Sequence, residues 1–281
     1  MPFQLKLTVF LLAGLVVSPM AWAADCVWLV AGAGGEPKYE NEFRRAAEAV
    51  YTSLIETHHY SADHVRLFGA SDETPGKIDQ DVTLDELKSG WTELVETVQP
   101  DDTFLLILLG HGQSDFVEPK FTLKGPDLGG QLLTTMFEAL PAKEKSAILS
   151  FPCSGHFSEL LSPVEGVSVI ASTDGPRQIF HSVMHGFLLQ AFQDEWSDQD
   201  GDGALTIYEL YQYLSGEVDD YYAGQDFVQI SNVSLDDNGD GRVTTTAEGM
   251  DAGDGERART RRLCPAPGYV EEPETPEDAE S

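Results

Sequence analysis

Two acidic runs and one His/Cys pair carry the residues of this sequence that can do chemistry. In Asp198-Gln199-Asp200-Gly201-Asp202-Gly203-Ala204-Leu205-Thr206-Ile207-Tyr208-Glu209, oxygen donors stand at places one, three and five, glycine at six and glutamate at twelve. Calcium is a hard cation that takes about six to eight oxygens. In this register Asp198, Asp200 and Asp202 offer carboxylates, Ala204 its carbonyl, Thr206 a place for a bridging water, and Glu209 both oxygens, while Gly203 permits the sharp turn. A second run, Asp236-Asp237-Asn238-Gly239-Asp240-Gly241, repeats the first half of the spacing. Asp236, Asn238 and Asp240 are its candidate ligands, but Ala247 falls at the twelfth place and Glu248 one place late. A shifted Glu248 or water would have to complete that shell.

The His/Cys pair is His111, directly after the apolar run Phe104 to Leu109, and Cys153, directly after Ser146 to Phe151. If both runs are parallel strands, both residues lie at the carboxyl edge of the sheet, where ligands bind in open α/β folds. A neighbouring imidazole can hold a thiol as thiolate and return the proton to a leaving amine. The backbone N–H groups of Ser154 and Gly155 are the expected oxyanion donors.

The elements that must position these residues follow from periodicity. Apolar runs at Cys26–Val30, Val65–Phe68, Thr103–Leu109, Ser146–Phe151 and Val167–Ala171 read as strands covered on both faces. Amphipathic segments at about 39–57, 84–98 and 128–140 read as helices, and Thr83 with Glu86 forms a capping box before the second. The fold class is therefore α/β, with a mostly parallel sheet between two helical layers. Segments 181–196 and 207–214 predict helices entering and leaving the first calcium loop, which makes it an EF-hand-type unit.

On the residues Leu106 to Gly112, Cys153-Ser154-Gly155, Val169 to Thr173 and His185-Gly186-Phe187, the region from 26 to 195 resembles caspase and legumain-type cysteine peptidases. The resemblance implies a caspase-like three-layer domain and a dyad that cleaves peptide bonds, with Cys153 as nucleophile and His111 as general base and acid. In the family one residue separates the nucleophile from the Ser-Gly pair, whereas here Cys153 touches Ser154. With Ser154-Gly155 as the anchor, Pro152 would hold the nucleophile's place. Two readings stand: an exported thiol endopeptidase, and a catalytically inactive relative that keeps the fold as a binding surface stabilised by calcium. Either takes a peptide or protein as substrate or ligand.

Composition narrows the setting. Lys6, the apolar run Leu7–Val17 and Ala21-Trp22-Ala23 read as a signal peptide over residues 1–23, so the chain is expected to be exported, in the periplasm or outside the cell, and free of the membrane after cleavage. The net charge of −31 argues against nucleic-acid partners and favours divalent cations. The domain plan is an α/β domain over 24–195, a calcium-binding segment over 196–263, and a disordered Pro-rich acidic tail over 264–281. With three cysteines, Cys26 and Cys264 are the expected disulfide pair and Cys153 the remaining thiol.

Overall fold

The computed structural model describes residues 25–69, 82–115, 117–179, 181–225, 227–246 and 253–265. The expected signal peptide, residues 247 and 248 and most of the expected tail lie outside them.

Four parallel strands form the middle of the sheet: β1 (Asp25–Ala31), β3 (Thr103–Leu109), β7 (Glu144–Ser150) and β8 (Val167–Ala171). One edge is β2 (Val65–Phe68), parallel to β1, and the other is β10 (Ser234–Asp236), antiparallel to β8. The order is β10-β8-β7-β3-β1-β2. Between β3 and β7 a small antiparallel sheet forms from β4 (Gly112–Ser114), β5 (Pro119–Phe121) and β6 (Leu128–Gly129). It begins one residue after His111, so the turn that carries His111 is braced from both sides.

Alternate residues of each strand go to opposite faces, and both faces are apolar. Val27, Leu29, Leu105, Ile107, Ile148 and Ile170 meet α1 (Pro37–Glu56), α5 (His185–Gln193) and α6 (Ile207–Gly224) through Phe43, Val50, Leu188, Leu210 and Tyr211. Trp28, Val30, Phe104, Leu106, Leu149 and Val169 meet α2 (Leu84–Thr97), α3 (Gly130–Ala139) and α4 (Ser154–Leu161) through Trp91, Phe137 and Phe157. The result is an α/β domain with a mostly parallel central sheet flanked by helices. The Thr83 capping box is present, with Glu86 N–H donating to Thr83 Oγ1 at 3.3 Å and Thr83 N–H to Glu86 Oε2 at 2.8 Å.

Three expectations change. Residues 196–263 are not a segment apart: β10 extends the central sheet, and α6 runs to Gly224 with Tyr211, Leu214 and Val218 in the same core as Phe43. The helix expected over 181–196 is instead α5 followed by a single 3-10 turn at Glu195–Ser197, because the Asp194 carboxylate accepts the Trp196 N–H and restarts the chain. Cys26 and Cys264 form no disulfide: Cys26 lies on β1 opposite Phe104, while Cys264 lies on β11 (Arg262–Pro265), which pairs with β9 (Ala204–Thr206). Between them, α7 (Glu256–Thr260) packs on α6.

Trp91 anchors the second helical layer, stacking edge-on against Trp28 and Phe104 at 5.3 and 5.2 Å and donating its indole N–H to the Met136 carbonyl at 3.0 Å. Trp91→Ala should lower unfolding free energy by roughly 3–5 kcal/mol, read by urea denaturation. A loss below about 1 kcal/mol would place the stability elsewhere.

Candidate functional site

The first acidic loop folds around its own carboxylates. Asp198 accepts the N–H groups of Gly201 and Gly203 at 2.8 and 3.0 Å, Asp200 that of Asp202 at 3.0 Å, and Asp202 that of Ala204 at 2.9 Å. Gly201 and Gly203 both have positive φ, +72° and +83°, which glycine adopts without strain. One carboxylate oxygen each from Asp198, Asp200 and Asp202 lies within 4.8 Å of the others. Glu209 folds back over the loop: Oε1 accepts from Gln199 N–H at 3.0 Å, and Oε2 from the N–H and hydroxyl of Thr206 at 2.9 and 2.7 Å. Thr206 and Glu209 are also the capping box of α6, so helix and loop share one carboxylate. Arg262 sits 2.6 Å from Asp202 Oδ2 and balances part of the charge.

The second loop repeats this pattern. Gly239 N–H donates to Asp236, Asp240 N–H to Asn238 and Arg242 N–H to Asp240, at 2.9, 2.8 and 2.8 Å, and Gly239 and Gly241 have φ of +73° and +76°. The expectations at Ala247 and Glu248 lie outside the described residues. The place that Glu209 fills in the first loop is filled here by Asp254. Its Oδ1 accepts from Asp237 N–H at 3.3 Å, and its Oδ2 from the N–H and hydroxyl of Thr244, each at 3.0 Å. Asp237 and Thr244 are the second and ninth places of their loop, as Gln199 and Thr206 are of the first. Asp254 is 1% exposed, and burial, with Asp236 and Asp237 nearby, pushes its pKa up to about 6 even though Asp237 N–H and Thr244 pull the other way. Sequence reasoning missed it because it lies well beyond the twelfth place, where no spacing rule points.

This loop is tied into the sheet at several atoms. Asp236, the last residue of β10, accepts the Ser162 hydroxyl at 2.7 Å, and burial raises its pKa. Asp237 accepts the N–H groups of Gly255 and Ala258 at 2.9 and 2.7 Å. Arg257 donates to the carbonyls of Val167 and Asp237, stapling the loop to β8.

At the carboxyl edge, β3 and β7 are neighbours, in register from Thr103↔Glu144 to Leu109↔Ser150. His111 and Cys153 therefore leave adjacent strands, but toward different layers. His111 packs toward α1, its ring centroid 5.0 Å from both Tyr39 and Phe43. Burial and the charge of His181 lower its pKa, against a hydrogen bond to the Gly34 carbonyl and the charge of Glu42. Cys153 is the N-cap of α4 on the other face, 1% exposed, with left-handed backbone at φ 63° and ψ 14°. Its N–H donates to the Gln178 carbonyl at 2.9 Å. Burial pushes the thiol's pKa up, and the Ser114 backbone, on β4, pulls it down.

The expected oxyanion donors are engaged. Ser154 N–H donates to the Phe151 carbonyl at 3.3 Å and Gly155 N–H to Thr173 Oγ1 at 2.7 Å. Gly155 faces Gly175 so closely that a Cβ would stand 2.2 Å from its nitrogen, so only glycine fits there. His156 Nδ1 is held by the Ser114 hydroxyl at 2.8 Å.

No family model matches the chain, and no curated protein matches it. Among solved structures, the crystal structure of a protein from Geobacter sulfurreducens is similar over 69% of this chain and 89% of that one, at 12% identity and a TM-score of 0.44.

A buried thiol with a raised pKa is a poor nucleophile near neutrality, since the thiolate is the reactive form. Iodoacetamide should label Cys153 in the native protein at least about tenfold more slowly at pH 7 than in the urea-unfolded chain, and faster as pH rises toward 9, as read by peptide mass spectrometry. Equal rates in both states would mean an exposed, activated sulfur.

Proposed function

We propose that this chain is an exported calcium-binding protein whose two acidic loops bind Ca2+ and fasten the C-terminal third onto an α/β domain of caspase and legumain-like type. The observation that carries the reading is the repetition of one hydrogen-bond pattern in two loops unrelated by position in the fold. In each, three Asx side chains take N–H groups at the same offsets, and one closing carboxylate takes the N–H of place two and both donors of place nine. The ligands are Asp198, Asp200, Asp202, the Ala204 carbonyl and Glu209 in the first loop, and Asp236, Asn238, Asp240 and Asp254 in the second. Carboxylates brought this close repel one another, and a divalent cation removes that cost. The first loop is an EF-hand-type unit because a capped helix leaves it at Ile207. The second differs, since its closing acid comes from the turn before α7. Calcium modules outside cells bind with dissociation constants of about 0.1–1 mM, which suits an exported chain.

A second reading, a thiol endopeptidase with His111 and Cys153 as dyad, is favoured by one observation. Among the described residues, Cys153 is one of two non-glycine residues with positive φ, on a sharp turn between strand and helix. Strained backbone of this kind gathers at functional sites. Its buried thiol and engaged neighbouring N–H groups favour the inactive relative, with the sheet edge as a binding surface for a peptide. Incubating the calcium-loaded protein with a peptide library decides between them: cleavage that vanishes in Cys153→Ala supports the peptidase, and no cleavage by the wild type supports the binding protein.

Calcium at about a hundred times its dissociation constant adds about 2.7 kcal/mol per site, or about 5.4 kcal/mol for two, so the melting temperature should rise by roughly 10–20 °C over that with chelator. Indifference to chelator would overturn the calcium reading. In calorimetric titration the wild type should bind two ions; Glu209→Gln and Asp254→Ala should each weaken one and leave the other. Two ions bound with unchanged affinity in Asp254→Ala would remove that carboxylate from the ligands of the second loop.

A further inference from the structure

A separate group of ligating side chains stands on the α1 side of the sheet's carboxyl edge. Glu42 comes from α1, His181 from the approach to α5 and His185 from the first residue of α5, and one ligand atom of each lies within 4.8 Å of the others. The two imidazoles converge on a single oxygen: His185 Nε2 is 2.6 Å and His181 Nε2 3.4 Å from Glu42 Oε1. Their other nitrogens, both Nδ1, are buried with no hydrogen-bond partner among the described residues. His185 is 6% exposed.

Aromatic walls fix the rings. Phe43 lies 5.5 Å from His185 and 6.3 Å from His181 by ring centroid, and Tyr39 lies 5.5 Å from His181. A third imidazole, His111, stands 6.2 Å from His181 by the same measure. An ordinary structural contact, one histidine tying α5 to α1, explains the His185–Glu42 bond alone. It does not explain why a second imidazole converges on the same carboxylate oxygen.

We propose that Glu42, His181 and His185 form a binding site for a divalent transition-metal ion of the zinc class. Imidazole and carboxylate together suit zinc, cobalt, nickel or copper, whereas calcium and magnesium take oxygen. The acidic loops and this cluster therefore select different ions. Two histidines and one carboxylate are three protein ligands, the number found where zinc keeps a position open for water or an anionic group of a ligand. At metal–ligand distances of about 2.0–2.2 Å, tetrahedral ligand atoms stand roughly 3.2–3.6 Å apart. The His181–Glu42 spacing of 3.4 Å already falls there, and His185 need move back by less than about 1 Å as the ion replaces the proton it shares with Glu42.

The test is titration of the untagged mature chain with Co2+ in the presence of excess Ca2+, which keeps the acidic loops occupied. One equivalent should bind with the intense visible absorption of a site of low coordination number, and Zn2+ should bleach it. Glu42→Gln and His185→Gln, with far-UV circular dichroism and melting temperature as checks of folding, should weaken Co2+ by more than the roughly 10- to 100-fold that loss of an outer-shell partner costs. If His185→Gln does not fold, His181→Gln, at the partly exposed rim, gives the same reading. Absence of the visible bands, or bands of unchanged affinity in Glu42→Gln and His181→Gln, would overturn the site. Calcium binding is scored in a separate titration, so its failure would be told apart from failure here.

Discussion

The pairing of Ser234–Asp236 with Val169–Ala171 is the constraint on which the rest of the C-terminal third depends. It is antiparallel, at the edge of a sheet whose other strands are parallel, and it brings an acidic loop to the rim of the core. Once β10 is placed, Asp236 must sit beside Ser162, and Arg257 can reach both Val167 and Asp237. The chain from 253 to 265 then has one path, over α6 and along β9. Without that pairing, β8 would be an open edge and the second loop would hang in solvent, where its carboxylates would cost nothing and organise nothing.

The buried acids show how a chain of such negative charge folds. Glu209, Asp236, Asp237 and Asp254 are all nearly inaccessible, in a protein whose lysines and arginines are few. Backbone N–H groups take the place of counter-ions: each carboxylate accepts at least one, and Asp237 accepts from the first turn of α7, where the helix dipole adds to the attraction. Hydrogen bonds to a charged acceptor are about twice as strong as neutral ones. They offset only part of the desolvation at Asp254, whose pKa stays raised to about 6, and under the proposed calcium reading a divalent cation would relieve the remainder.

At the carboxyl edge, the two flanking layers divide the residues that adjacent strands deliver. The His111 turn leans on Tyr39 and Phe43, beside Glu42, His181 and His185, so four titratable groups share one environment. Burial lowers the pKa of His185, and Glu42 accepts from it and stays ionised although burial alone would raise its pKa. Cys153 begins α4 in the opposite layer, below the segment that carries Gln178. Gly112 threads between: a Cβ there would stand 2.4 Å from both Phe151 and the Pro152 carbonyl, so only glycine lets β4 pass the turn that holds the cysteine.

The amino-acid sequence by itself determined the layers and the first acidic loop. Continuous apolar runs such as Phe104–Leu109 specify strands buried on both faces, and Thr83 with Glu86 marks a helix start, because both are local consequences of backbone hydrogen bonding. The loop from Asp198 to Glu209 is legible for the same reason, all its groups lying within one turn of chain. Only the tertiary structure decided that Asp254 meets Thr244, that residues beyond 196 belong to the main core, and that Glu42 meets His185 across the α1–α5 contact. The last two join residues far apart in sequence and depend on strand order and helix packing, which periodicity does not encode, while Asp254 lies near Thr244 in sequence but beyond the spacing of a twelve-residue loop.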